Sequence, residues 1–171
     1  MSELARRIAR YRVRLGFPSA VLALWLAQPT ERSLAAGAIV ALVGEGLRIW
    51  AAGHLEKGRE VTTSGPYAVT RHPLYAGSAI MGVGFAIAAH SVVVAALVVL
   101  YLGVTIAAAI RSEEAHLTEK FGETYPAYRE GRGAAADRRF SFERAWRNRE
   151  YRALAGFAVV FALLAARLLM R

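Results

Sequence analysis

Five apolar stretches, set apart by short turns or strongly basic connections, constrain this chain more than any other feature. They run from about Leu15 to Gln28, Ser33 to Gly53, Leu74 to Ala89, Ser91 to Ile110 and Ala153 to Met170. A membrane-spanning helix needs about 20 residues, within a range of about 17–25. The second, fourth and fifth stretches meet that, while the first and third need flanking polar residues to complete a span. The 171 residues are 56% hydrophobic yet carry a formal charge of +9. Soluble domains rarely combine these properties, whereas a small polytopic membrane protein with basic cytoplasmic loops does. The expectation is an all-α polytopic membrane protein with about five transmembrane helices, a single domain over residues 1–171.

Charge placement orients it. The N-terminal arm holds Arg6, Arg7, Arg10, Arg12 and Arg14, the connection from His54 to Pro73 holds Lys57, Arg59 and Arg71, and the stretch from Arg111 to Arg152 is rich in arginine. All three fall on one side if the five stretches span, and the positive-inside rule makes that side cytoplasmic. An N-terminus in the cytoplasm and a C-terminus outside follow, in the cell inner membrane. The arginines ahead of the first apolar stretch superficially resemble a secretory signal. No convincing small-residue cleavage site follows, so a retained first helix is expected. Arg111 to Phe121 should prolong the fourth helix and end near Gly122, and Gly131 to Ala136 reads as a short linker. Residues Arg138 to Tyr151 mix arginines with Phe140, Phe142, Trp146 and Tyr151. This composition suits a helix on an anionic membrane surface, or equally a basic stretch that only obeys the charge rule.

Within this frame one polar island stands out, Gly65-Pro66-Tyr67-Ala68-Val69-Thr70-Arg71-His72-Pro73-Leu74-Tyr75-Ala76-Gly77. Its prolines break regular helix, and irregular backbone beside a bilayer persists only where protein or water satisfies it. By residue type alone this is slightly more readily an interfacial turn with aromatic anchors than a site.

Other groups could carry chemistry. In Arg111-Ser112-Glu113-Glu114, the two carboxylates lie about 100° apart around a helix, so one can face a ligand while the other pairs with Arg111 or Lys120. Taken singly, an ordinary charged helix leaving the membrane explains them better. Glu45 and Arg48, spaced i, i+3, can neutralise each other at membrane depth or face a cavity, with His54 just beyond. The chain has no cysteine, which excludes disulfides, thiolate catalysis and cysteine–zinc sites. Its four histidines are scattered without ligand spacing, so no metal site is expected. No phosphate loop or dinucleotide fingerprint is present, and no nucleic-acid partner is expected.

Taken in order, Gly65-Pro66-Tyr67, Arg71-His72-Pro73-Leu74-Tyr75 and Gly77, then Glu113-Glu114, Phe121-Gly122, Tyr125 and Tyr128, resemble the isoprenylcysteine carboxyl methyltransferase and phospholipid methyltransferase superfamily of integral membrane enzymes. The resemblance spans about Arg48 to Arg129. It implies S-adenosylmethionine as cofactor, in a cytoplasmic pocket built from loops and helix ends. It further implies cofactor contacts from Arg59, Glu60, Val61, Thr62, Tyr67, His72, Pro73, Leu74, Tyr75 and Glu113. Arg111 corresponds to an acceptor-positioning arginine, and Glu114 is the second catalytic candidate. The implied acceptor is lipid-like or isoprenoid, a carboxylate or an amine, reached from among membrane lipids. A non-catalytic membrane scaffold or transport accessory is the alternative, and would be expected to have lost some cofactor contacts. The basic stretch and apolar helix over 138–171 are an addition relative to many relatives. Their role and the oligomeric state are left open.

Overall fold

The computed structural model describes residue 16 and residues 18–132 and 137–170. The N-terminal arginines and residues 133–136 of the linker lie outside that set. Every regular element among the described residues is helical: α1 over residues 18–26, α2 Glu31–His54, a 3₁₀ turn Gly65–Ala68, α3 Pro73–Ala89, α4 Val92–Phe121, α5 Thr124–Arg129, α6 Phe142–Arg147 and α7 Tyr151–Leu169. The helices α2, α4 and α7 are long and apolar enough to cross a membrane. The third stretch forms a helix of only 17 residues, because Pro73 sets its start, and it is covered by α2 along one side.

Local chemistry sets the boundaries. Thr30 and Ser33 form a reciprocal capping box at the start of α2, with Thr30 N donating to Ser33 Oγ at 2.9 Å and Ser33 N to Thr30 Oγ1 at 3.1 Å. Ser33 Oγ also donates to Ala88 O, 3.2 Å away, pinning the start of α2 to the end of α3. The expected tight hairpin between α3 and α4 turns on His90, in the left-handed region at φ 47°, and on Ser91, whose hydroxyl caps α4. At the other end of α4, Gly122 terminates the helix with φ 50°, where glycine carries no steric penalty.

The closest packing joins α2 to α3 through small residues. Gly37, Ala41 and Gly44 recur at i, i+4, i+7 and meet Gly77, Gly84 and Ala88. A Cβ at Gly44 would stand 2.6 Å from Gly77 O, and one at Gly84 2.5 Å from Ala41 N. The backbones therefore touch, as small-residue stripes allow in membranes, where lipid leaves packing to drive association. In contrast, α4 is largely exposed on its apolar length, and an apolar groove of about 660 Å³ runs between α3 and α4.

The C-terminal segment closes back on α2. The final carbonyls of a helix lack intrahelical partners and carry the negative end of its dipole. Here Asn148 Nδ2 donates to Ala52 O (2.9 Å) and Leu55 O (2.8 Å), Ser141 N and Arg144 to Gly53 O, and Arg138 to His54 O. Phe140 covers Gly53 so closely that a Cβ there would enter its ring. At the opposite end of the bundle, Arg167 Nε donates to Ala27 O at 2.7 Å. Arg138, Arg144 and Arg147 are thus spent on protein oxygens, including those of Glu60 and Glu56. Phe142 and Trp146 of α6 remain exposed.

Candidate functional site

At the end of the bundle where α2 and α4 finish and α3 begins, a cavity of about 620 Å³ opens. The loop after α2 supplies Lys57, Gly58, Glu60, Val61 and Thr62, the 3₁₀ turn supplies Tyr67, and the approach to α3 and its first turn supply Arg71, His72, Pro73, Leu74 and Tyr75. From α4 come Ala109, Ser112, Glu113, His116, Leu117 and Lys120, the i, i+3, i+4, i+7 stripe of a single helix face. Tyr125 and Tyr128 of α5 complete the wall.

The polar island folds as a positioned turn. Gly65 adopts φ 57°, and a Cβ there would lie 2.6 Å from the His54 ring, so glycine is required both by conformation and by space. His54 Nδ1 meets Ser64 Oγ at 3.1 Å, fixing the turn to the end of α2. Tyr67 is buried, and its carbonyl accepts from the Tyr128 hydroxyl at 2.6 Å, tying the island to α5. Burial raises the phenols of Tyr67 and Tyr128 above their ordinary range.

Glu113 and Glu114 divide as their helical phase requires. Glu113 faces the cavity. Glu114 points beside it and receives His72 Nε2 at 3.0 Å, with Arg71 Nη1 at 3.8 Å. It therefore pairs with His72 and Arg71, not with Arg111 or Lys120, and positions the His72 ring, which lies 5.9 Å from the Tyr75 ring. Two placements differ from the sequence expectation. Arg111 is exposed and outside the cavity lining, since it falls on the α4 face opposite Ser112, Glu113 and His116. Arg59, implied to contribute through its backbone, is also outside the lining, and its exposed side chain lies 3.8 Å from Glu56. The remaining expected contacts, Glu60, Val61, Thr62, Tyr67, His72, Pro73, Leu74, Tyr75 and Glu113, all line the one cavity.

Sequence reasoning assigned no role to Tyr125, although the residue stood in the motif. Its side chain is 2% exposed and its hydroxyl has no hydrogen-bond partner in the protein. Burial, and then the charge of the nearby Glu114 carboxylate, push its phenol up to about 12. It stays a protonated donor. Arg48, expected to pair with Glu45 or to face a cavity, lies 3.8 Å from Glu45 and lines the cavity, but its closer partner is Glu150 at 2.6 Å. The isolated i, i+3 spacing gave no sign of a partner 102 positions on.

Residues 46–124 match the phospholipid methyltransferase family, one of the superfamily of membrane methyltransferases that the two motifs resemble. The nickel-cobalt-cadmium resistance protein NccN of Alcaligenes xylosoxydans xylosoxydans is 36% identical over 89 residues, covering 51% of this chain and 40% of that protein. No solved structure matches the chain.

Proposed function

We propose that this chain, whose central segment matches a family of membrane methyltransferases, transfers a methyl group from S-adenosylmethionine to a lipid-like acceptor, at the cavity between α2, α3 and α4. The observation that carries the reading is convergence: two motifs separated by the α3–α4 hairpin line one cavity. Its volume of about 620 Å³ lies within the range of about 300–1,000 Å³ usual for small-molecule sites.

The residues present fit the cofactor. S-adenosylmethionine carries an ammonium, a carboxylate, an adenosyl group and a sulfonium, and it supplies an electrophilic methyl group when bound. Glu113, with no ion pair of its own among the described residues, suits the ammonium. Arg71, Lys57 and Lys120 bring positive charge for the carboxylate. The buried Tyr125 hydroxyl has no protein acceptor and so offers a hydrogen bond to whatever fills the cavity. Tyr67 and Tyr75 offer apolar faces for a flat ring.

Glu114 acts one step back, holding His72 and Arg71 in place. The apolar groove ends on Ile110, next to the cavity residues Ala109 and Ser112, and suits the hydrocarbon of an acceptor entering from the bilayer. Alignment of donor and acceptor in a water-poor site supplies much of the acceleration in such a displacement. An amine acceptor must also lose a proton, whereas a carboxylate need not.

The relationship to a resistance protein favours a second reading, a non-catalytic membrane accessory in metal tolerance. Among the described residues no group of three or more His, Asp or Glu side chains is placed to hold a metal ion. One titration separates the readings. Detergent-purified protein is expected to bind S-adenosylhomocysteine by calorimetry, with Glu113→Ala weakening binding about 10–100-fold, the loss of a charge-assisted hydrogen bond. Absence of binding would favour the accessory role.

A further inference from the structure

The C-terminal addition does more than cross the bilayer. Arg149, with φ 63° in a region costly for a side-chain-bearing residue, makes the sharp turn between α6 and α7. That turn aims Glu150, 7% exposed, back into the bundle at the N-terminus of α7, where a carboxylate also meets the positive end of the helix dipole. Glu150 Oε1 receives Arg48 Nε at 2.6 Å. The same guanidinium reaches α3 through Nη1, which donates to Leu74 O at 3.3 Å and to Ser78 Oγ. Arg48 itself lines the cavity, and Leu74 belongs to its wall. One side chain of α2 therefore joins the C-terminal helix to the turn that carries His72, Pro73, Leu74 and Tyr75.

We infer that Glu150 is a positioning residue of this cavity: by holding Arg48 on the first turn of α3, it sets the ligand-binding wall. The alternative partner explains why the position matters. Glu45 is buried, its carboxylate oxygens accept no hydrogen bond in the protein, and it stands 3.8 Å from Arg48 Nε on the same helix. An Arg48 released by Glu150 has this neighbour ready to neutralise it. Turning to Glu45 draws the guanidinium along α2 and away from Leu74 O and Ser78 Oγ. Two carboxylates compete for one cation, and Glu150 keeps it on the cavity side.

The inference rests on the cavity being the ligand site proposed above, and its test separates the two. Full-length protein in detergent is titrated with S-adenosylhomocysteine, and amide hydrogen exchange is followed over residues 73–78 without ligand. Glu150→Ala should weaken binding about tenfold or more, the scale on which small misplacements of a site act, and raise exchange in that turn. Glu150→Gln keeps the acceptor oxygen and should restore affinity to within about threefold of wild type. Arg167→Ala loosens the far end of α7 from Ala27 and Trp25 and should change neither readout. If Glu150→Ala does not fold, Glu150→Asp, which withdraws the carboxylate by one methylene, should still weaken binding several-fold. Wild-type affinity and exchange in Glu150→Ala, or in Glu150→Asp where alanine does not fold, or equal losses in Arg167→Ala, would overturn the inference. Should wild type bind no S-adenosylhomocysteine, the cofactor reading fails, while the exchange comparison still decides whether Glu150 holds α3.

Discussion

Replacing Tyr125 by phenylalanine should move stability and binding in opposite directions. The ring is buried and its hydroxyl makes no well-formed hydrogen bond in the protein, with the Glu114 carboxylate near it, so the free protein recovers only part of the cost of removing that group from water. Protein substitution data put this cost at about 1–3 kcal/mol. Tyr125→Phe keeps the ring and deletes only the hydroxyl, so it should stabilise the free protein by part of that amount. For a chain of this size each kcal/mol corresponds to about 2–4 °C in melting temperature. Where a ligand accepts from the hydroxyl, the same change removes a hydrogen bond worth about 0.5–1.5 kcal/mol, or about 2–12-fold in affinity. Because the phenol is pushed up to about 12, it donates throughout the neutral range and the binding loss should not vary across roughly pH 6 to 9. Thermal unfolding in detergent with and without S-adenosylhomocysteine measures both quantities. A lower melting temperature without ligand would refute the orphaned hydroxyl, and unchanged affinity would refute its role in binding.

Two further outcomes follow from side-chain placement. Arg111→Ala should leave S-adenosylhomocysteine affinity within about twofold of wild type, since the residue lies outside the cavity lining; a tenfold loss by calorimetry would refute that placement. Glu56, whose hydrogen bond from Arg144 holds its carboxyl below the usual value of 4.5, contributes stability that is complete above that value and lost as pH falls through the lower folded one. Melting temperature measured across that acid range should decline less steeply in Glu56→Gln than in wild type.

The polar island and Glu113 were legible because glycine, proline and paired carboxylates leave traces in sequence that survive without neighbours. Helical phase was equally available: at about 100° per residue, the stripe from Ala109 to Lys120 puts Arg111 on the opposite face by spacing alone. The Gly37, Ala41, Gly44 spacing likewise announces a close helix contact. What could not be read was the destination of the C-terminal arginines. Arginine beside aromatics looks the same whether it meets lipid phosphates or the terminal carbonyls of a helix far back in the chain. Only the folded path of residues 137–150 shows Arg138 and Arg144 on α2. Glu150 was silent for the same reason, since its partner Arg48 already had a plausible neighbour in Glu45.

The backbone contact between α2 and α3 gives the cavity walls unequal stiffness. Those two helices touch main chain to main chain and cannot slide without overlap, so they behave as one slab. The α4 wall is joined to that slab by the His90–Ser91 turn at the remote end, by Leu102 and Val98 against Gly82, and at the cavity by Glu114 on His72, with an apolar groove beside these contacts. From Val92 to Glu113 is a lever of about 30 Å at about 1.5 Å per residue, so a tilt of about 5° at the turn carries Glu113 roughly 3 Å. Such a swing would widen the cavity without disturbing the α2–α3 contact, at the cost of the Glu114–His72 bond. The helix that would move is the one bearing Glu113, the carboxylate that faces the cavity.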